Sequence, residues 1–138
     1  MRSKLYAPLC AATLSLMLLS FACAGHNYHL VSAPSVPAAA GTVKTSTDKN
    51  GNTVVDLKVQ RLAQPSALTP PRNVYVVWIQ PPGKEPINQG ELRVDNDLNG
   101  QFKTSTPYKR FQLFVTAENQ AKVAEPTGQQ LLQQQVGG

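Results

Sequence analysis

The segment "VYVVWIQP", which begins at Val74, is apolar through Ile79. Read with a period of two, it places Val74, Val76 and Trp78 on one side and Tyr75, Val77 and Ile79 on the other, so both faces need cover. A run this short, built from β-branched and aromatic residues, is a central strand with Trp78 in a packed interior. The chain around it must supply further strands and something to lie across them.

It does so by alternation. "GTVKTSTDKNGNTVVDLKVQRL" holds two β-rich runs around Asp48–Asn52, where Asn50-Gly51 supplies the positive φ that a tight hairpin turn requires. Val55, Leu57 and Val59 share the core face; Asp56, Lys58 and Gln60 share the other. After Trp78, "GELRVDND" turns Leu92 and Val94 inward, "GQFKTST" follows, and "RFQLFVTAE" puts Phe111, Leu113, Val115 and Ala117 in register. "GQQLLQQQV" supplies a last strand, read as an edge strand ending in a frayed Val136-Gly137-Gly138 tail. The 11 prolines and 9 glycines punctuate these runs, and no helical periodicity occurs beyond the first 25 residues. The expected fold is all-β, an antiparallel β-sandwich of about seven strands over residues 41–136. At 138 residues there is room for one domain.

The opening of the chain is of another kind. "MRSKLY" is a short basic region, and Leu9 to Ala22 is an apolar stretch of signal-peptide length, so residues 1–22 are read as a signal peptide directing export. A permanent span needs roughly 20 apolar residues, and Gly25, His26 and Asn27 interrupt this one first. Small residues permit ordinary cleavage after Ala22 or Ala24, which would release a free periplasmic or secreted domain. "LSFACAG" also resembles a bacterial lipoprotein signal, in which a small residue precedes the cysteine that is lipidated and becomes the mature N-terminus. Ala22-Cys23 matches that ending, while Ser20 stands where leucine is usual. Cys10 falls in the leader, so Cys23 has no partner for an intramolecular disulfide in the mature chain. Lipidation of Cys23 would bury two acyl chains at about 0.8 kcal/mol per CH₂, enough for stable anchoring to a membrane. Residues 23–40, small, proline-punctuated and without periodicity, are read as a flexible tether.

The spacing of "YVVWI", "GEL", "FVTAE" and "EPTG" is similar to that of the extracytoplasmic C-terminal domain of anti-sigma-K factors. The places that match are Tyr75 to Trp78, Gly90, Phe114 to Glu118 and Pro126 to Gly128, over residues from about 53 to 133. The resemblance implies a small outward-facing β-sandwich of sensor or scaffold type, with an envelope protein as partner and no catalytic residue to transfer. It covers none of the sigma-binding segment of that family, so capture of a sigma factor is not implied.

Little else carries chemistry. "DNDLNGQFKTST" opens like a calcium loop, with Asp95, Asp97 and Asn99 at alternate positions before Gly100, but Thr106 holds the place of the bidentate glutamate and Asn99-Gly100 is ordinary turn chemistry. A calcium-dependent binding module is the alternative this motif offers. His26 and His29 lack a nearby acidic or thiol partner for a metal and, in the tether, cannot serve a Ser-His-Asp or Cys-His site. Paired carboxylates, Asp95 with Asp97 or Glu118 with Glu125, read as solvated groups on strands and turns. Thirteen basic residues against eight acidic give +5, but Arg2 and Lys4 lie in the leader and the other cations are scattered, which argues against nucleic acid. The expectation is a non-catalytic exported lipoprotein without cofactor, a binding or structural module of the bacterial cell envelope or periplasm.

Overall fold

The structure is a computed structural model that describes residues 25–138. Eight antiparallel strands make it up: β1 (His26–Ser32), β2 (Ala40–Thr47), β3 (Thr53–Gln60), β4 (Val74–Gln80), β5 (Ile87–Leu92), β6 (Gly100–Thr106), β7 (Phe111–Glu118) and β8 (Gln130–Val136). One 3-10 turn, Pro65–Ala67, is the only helical element among the described residues. The strands form a single sheet in the order β5-β4-β7-β8-β1-β2-β3-β6. The all-β antiparallel class that the alternation predicts is therefore what is found, and six of the eight strands lie where the alternating runs place them; β5 ends at Leu92 instead of running on through "GELRVDND", where Val94 makes only an isolated bridge to Gly100 and residues 95–99 turn.

The eighth strand corrects the expected tether. Within residues 23–40, His26–Ser32 is β1, with Tyr28 half-buried and Leu30 buried. Val36 and Ala39 of the following connector are buried in the same core, and its backbone is satisfied by Ala33 N–H to Leu131 O at 2.7 Å and Ala39 N–H to Val36 O at 3.0 Å. The folded domain thus includes residues 26–40, expected to lie ahead of it. The sequence conceals this because only Tyr28 and Leu30 of "HNYHLVS" turn to the core, while two histidines, an asparagine, a serine and the exposed Val31 fill the other positions.

β1 also decides the shape. His26 to Leu30 pair with β2, whereas Val31 and Ser32 pair with β8. One strand thereby passes between two four-stranded halves, and the expected two-layer sandwich becomes one strongly bent sheet, nearly closed and barrel-like. The same strand places β8 between β7 and β1, so β8 is an interior strand and not the edge expected for it. β5 and β6 meet at the remaining seam, where Thr104 Oγ1 donates to Gln89 Oε1 at 2.9 Å and Phe102 lies over the bare backbone of Gly90. β5 and β6 are therefore the two edge strands, and their approach across the seam shields part of the unpaired edge that would otherwise template aggregation.

The interior follows the sequence pattern closely. Val55, Leu57 and Val59 of β3, Tyr75, Val77 and Ile79 of β4, and Phe111, Leu113, Val115 and Ala117 of β7 all enter one cluster. Val76, Trp78 and Phe114 form a second cluster on the outside of the sheet, with Val74 and Val123 against it. Both faces of β4 are buried, as its composition demands.

Candidate functional site

Beside the second cluster lies a fully buried carboxylate, Glu118, the one buried charged group among the described residues. On the outer face of β7, Phe114, Thr116 and Glu118 alternate, and they stand opposite Trp78, Val76 and Val74 of β4. Trp78 and Phe114 stack with centroids 6.3 Å apart. From Trp78 a chain of hydrogen bonds runs up the strand pair: its Nε1–H donates to Thr116 Oγ1 at 2.8 Å, and the Thr116 hydroxyl donates to Glu118 Oε1 at 2.6 Å.

The cover over this face is the β7–β8 connection, residues 119–129, and Glu118 is what holds it. Thr127 N–H donates to Oε1 at 3.0 Å and Gly128 N–H donates to the same oxygen at 3.2 Å, while the Thr127 hydroxyl donates to Oε2. Asn88 of β5 ties down the middle of the segment, donating to the carbonyls of Ala121 and Val123 at 2.9 and 2.8 Å. At Gly128 the backbone passes so close to β7 that a Cβ would lie 2.1 Å from Ala117 O, so only glycine fits there.

Burial by itself would raise the Glu118 carboxyl. The hydrogen bonds from Thr116, Thr127 and the Gly128 and Thr127 amides outweigh it and hold the group below the ordinary glutamate value. A carboxylate so engaged is a poor proton donor at neutral pH, and its oxygens are spent on securing the cover. The arrangement is structural in its chemistry. The same is true of Tyr75, whose buried hydroxyl donates to Ala63 O at 2.6 Å and is pushed up to about 12 by desolvation.

The residues singled out from sequence are dispersed. Cys23 lies outside the described residues. Asp95 Oδ1 accepts from the N–H groups of Asp97 and Asn99, each at 2.9 Å, and the turn closes with Asp95 N–H to Asn99 O at 2.8 Å. This is a side-chain-capped turn of the same form as Asp48–Asn52, where Asp48 Oδ1 takes the N–H groups of Asn50 and Asn52. Asp95 is thus turned onto its own backbone, and among the described residues no three His, Cys, Asp or Glu side chains are grouped to share an ion. His26 and His29 are exposed on β1, Glu125 is exposed, and Glu118 is the buried exception that the reading of solvated carboxylates missed. A signal for it was present: a glutamate closing a run that is apolar on both faces, in step with Thr116 and opposite the strand that carries Trp78.

Two depressions mark the ends of the barrel. One, of about 410 Å³, lies between the Val36-bearing connector and the 3-10 turn and is lined by Ser35, Ala63, Leu68, Arg72, Gln129 and Leu131. The other, of about 300 Å³, lies at the opposite end beside His26, Tyr28, Thr53, Lys109 and Gly137. No protein-family model matches the chain, and comparison with curated proteins and with solved structures finds no match.

Proposed function

We propose that this chain is an exported bacterial lipoprotein, anchored through acyl chains on Cys23, whose β-domain is a non-catalytic binding or structural module of the cell envelope. One observation carries the reading. The first described strand starts at His26, three positions after Cys23 in the sequence, so the chain is already paired in the sheet directly after "LMLLSFACAG". A cleavage that leaves Cys23 as first residue would remove the leader and leave β1 whole.

Two further features support it. Five of the positions that carry the similarity to the anti-sigma-K extracytoplasmic domain, Trp78, Thr116, Glu118, Thr127 and Gly128, are joined in one hydrogen-bonded unit, which gives the spacing of those five a common physical purpose. The buried carboxylate has its oxygens occupied by donors that secure the fold, which favours a scaffold over a proton-transfer site.

Intact-mass measurement and detergent-phase partitioning of the full chain beside Cys23→Ser test the anchor. The parent should carry diacylglyceryl mass on Cys23 and enter the detergent phase, and the serine variant should not. Partitioning that the substitution leaves unchanged, or a mature chain beginning after Ala22 or Ala24 with no acyl mass, overturns the proposal. Crosslinking in cells then identifies the envelope component that the domain contacts.

A further inference from the structure

Resting on the lipid-anchored reading above, we propose that the barrel is seated end-on against its membrane, with the face that carries Lys49, Lys84, Lys109 and Arg110 resting on anionic lipid headgroups. The argument starts from length. Only Ala24 and Gly25 separate Cys23 from β1. Three peptide steps reach at most about 11 Å, so the anchored sulfur stays within that distance of the start of β1, give or take its own short side chain. His26 pairs with Thr45, near the end of β2, and Gly25 lies against Thr45 O and the Lys44 side chain. The attachment point is thereby confined to one end of the barrel, and the flexible tether expected over residues 23–40, which would hold the domain clear of the lipid, is replaced from His26 on by strand and packed connector.

That end is made of turns stitched to one another. The β2–β3 turn (48–52) and the β6–β7 turn (107–110) are joined by Lys109 Nζ, which donates to Gly51 O. The β6–β7 and β4–β5 turns are joined by Lys84, whose Nζ lies 5.0 Å from the centre of the Tyr108 ring and 3.4 Å from its hydroxyl. The tail closes the group, with Gly137 N–H donating to Tyr28 OH at 3.3 Å.

The three turns carry Lys49, Lys84, Lys109 and Arg110, all exposed, against the carboxylates of Asp48 and Glu85. The Asp48 carboxylate is turned onto its own loop, accepting from the N–H groups of Asn50 and Asn52 and from Asn52 Nδ2, and offsets part of the charge of Lys109. At the end of the barrel where β1 begins, four exposed cations thus stand against two carboxylates. An anionic bilayer attracts such cations within a Debye length of about 8–10 Å, the range over which the short linker holds this face.

Amine acylation of the full-length lipidated chain, read by mass spectrometry residue by residue, tests the seating. The chain is compared on vesicles of phosphatidylglycerol mixed with phosphatidylcholine, on phosphatidylcholine alone, and in detergent. A negative surface potential of about 30–50 mV lowers local pH enough to reduce the reactive free-amine fraction about three- to sevenfold. Lys49, Lys84 and Lys109 should therefore slow by about that factor on the anionic vesicles relative to the neutral ones. Lys58, exposed and five residues up β3 from the Thr53 end, stands about 17 Å along the strand, and its rate should be unchanged. Equal slowing on both vesicle types, or no slowing on either, overturns the seating while leaving the anchor intact, provided the same sample floats with the vesicles and shows acyl mass on Cys23. A chain without that mass, which does not float, overturns both proposals together.

Discussion

Removing the charge of Glu118 is the most informative perturbation of this fold. Four hydrogen bonds end on its two oxygens, from the Thr116 hydroxyl, the Thr127 and Gly128 amides and the Thr127 hydroxyl. Glu118→Gln retains one carbonyl oxygen for the first three. It sets an amide against the Thr127 hydroxyl and weakens every remaining bond by making the acceptor neutral. A hydrogen bond to a charged group contributes about 1.5–3 kcal/mol, so the substitution should cost about 2 kcal/mol. Glu118→Ala orphans all four donors, including the Thr116 hydroxyl at the end of the chain from Trp78, and should cost about 4 kcal/mol. In a domain of this size each kcal/mol moves Tm by about 3–6 °C, so the glutamine variant should melt about 6–12 °C lower.

The sign of the pH dependence follows from the lowered carboxyl. A group whose folded-state value lies below its unfolded value stabilises fully above the ordinary glutamate range, and that contribution is lost as pH falls through the folded value. The gap between parent and Glu118→Gln should be constant near neutrality and narrow in acid. Trp78 is the only tryptophan and sits in the affected cluster, so denaturation followed by its fluorescence at neutral and acid pH reads both quantities. A gap that stays constant or widens as pH falls, or a glutamine variant as stable as the parent, would refute the account of Glu118 as an ionised clasp.

Other perturbations test separate parts of the fold. Leu30→Ala should cost about 2–4 kcal/mol by chemical denaturation, because Leu30 is a buried strand residue; a change below about 0.5 kcal/mol would return residues 26–32 to a tether. Leu98 holds φ +64 at the place in its turn that Gly51 holds at φ +81, and its side chain is 36% exposed, so Leu98→Gly should raise stability by about 0.5–1 kcal/mol while Gly51→Leu lowers it. Millimolar calcium should leave Tm unmoved, since Asp95 Oδ1 is engaged by the turn; a calcium-dependent rise that disappears in Asp97→Ala would restore the ion-binding reading.

Much of the strand content was legible from alternation, and the reason is local. In β3, β4 and β7 most inward positions are large and apolar, with only Thr53 and Ala117 departing, so spacing by two identifies strand and core face together. β1 shows where that signal fails. Only Tyr28 and Leu30 of "HNYHLVS" face inward, too few to stand out beside Pro34 and Pro37, and the strand exists because β2 and β8 supply its backbone partners. The Asp95 turn was legible as turn chemistry because it is built entirely from five adjacent residues. The Glu118 clasp was not, although each of its residues had been noticed, because its donors lie on β4, on β7 and nine or ten positions further on in the cover segment.

The amino-acid order alone determined an antiparallel β protein, its turns, and which side of most strands faces the interior, since these depend on neighbours one or two positions away. Tertiary structure decided three things that pairing between distant segments controls. It made β1 a strand that bends two halves into one nearly closed sheet, it turned β8 from an edge into an interior strand, and it buried Glu118 with enough donors to keep it charged. Backbone hydrogen bonds and a buried carboxylate both need partners, and those partners come from parts of the chain far apart in sequence.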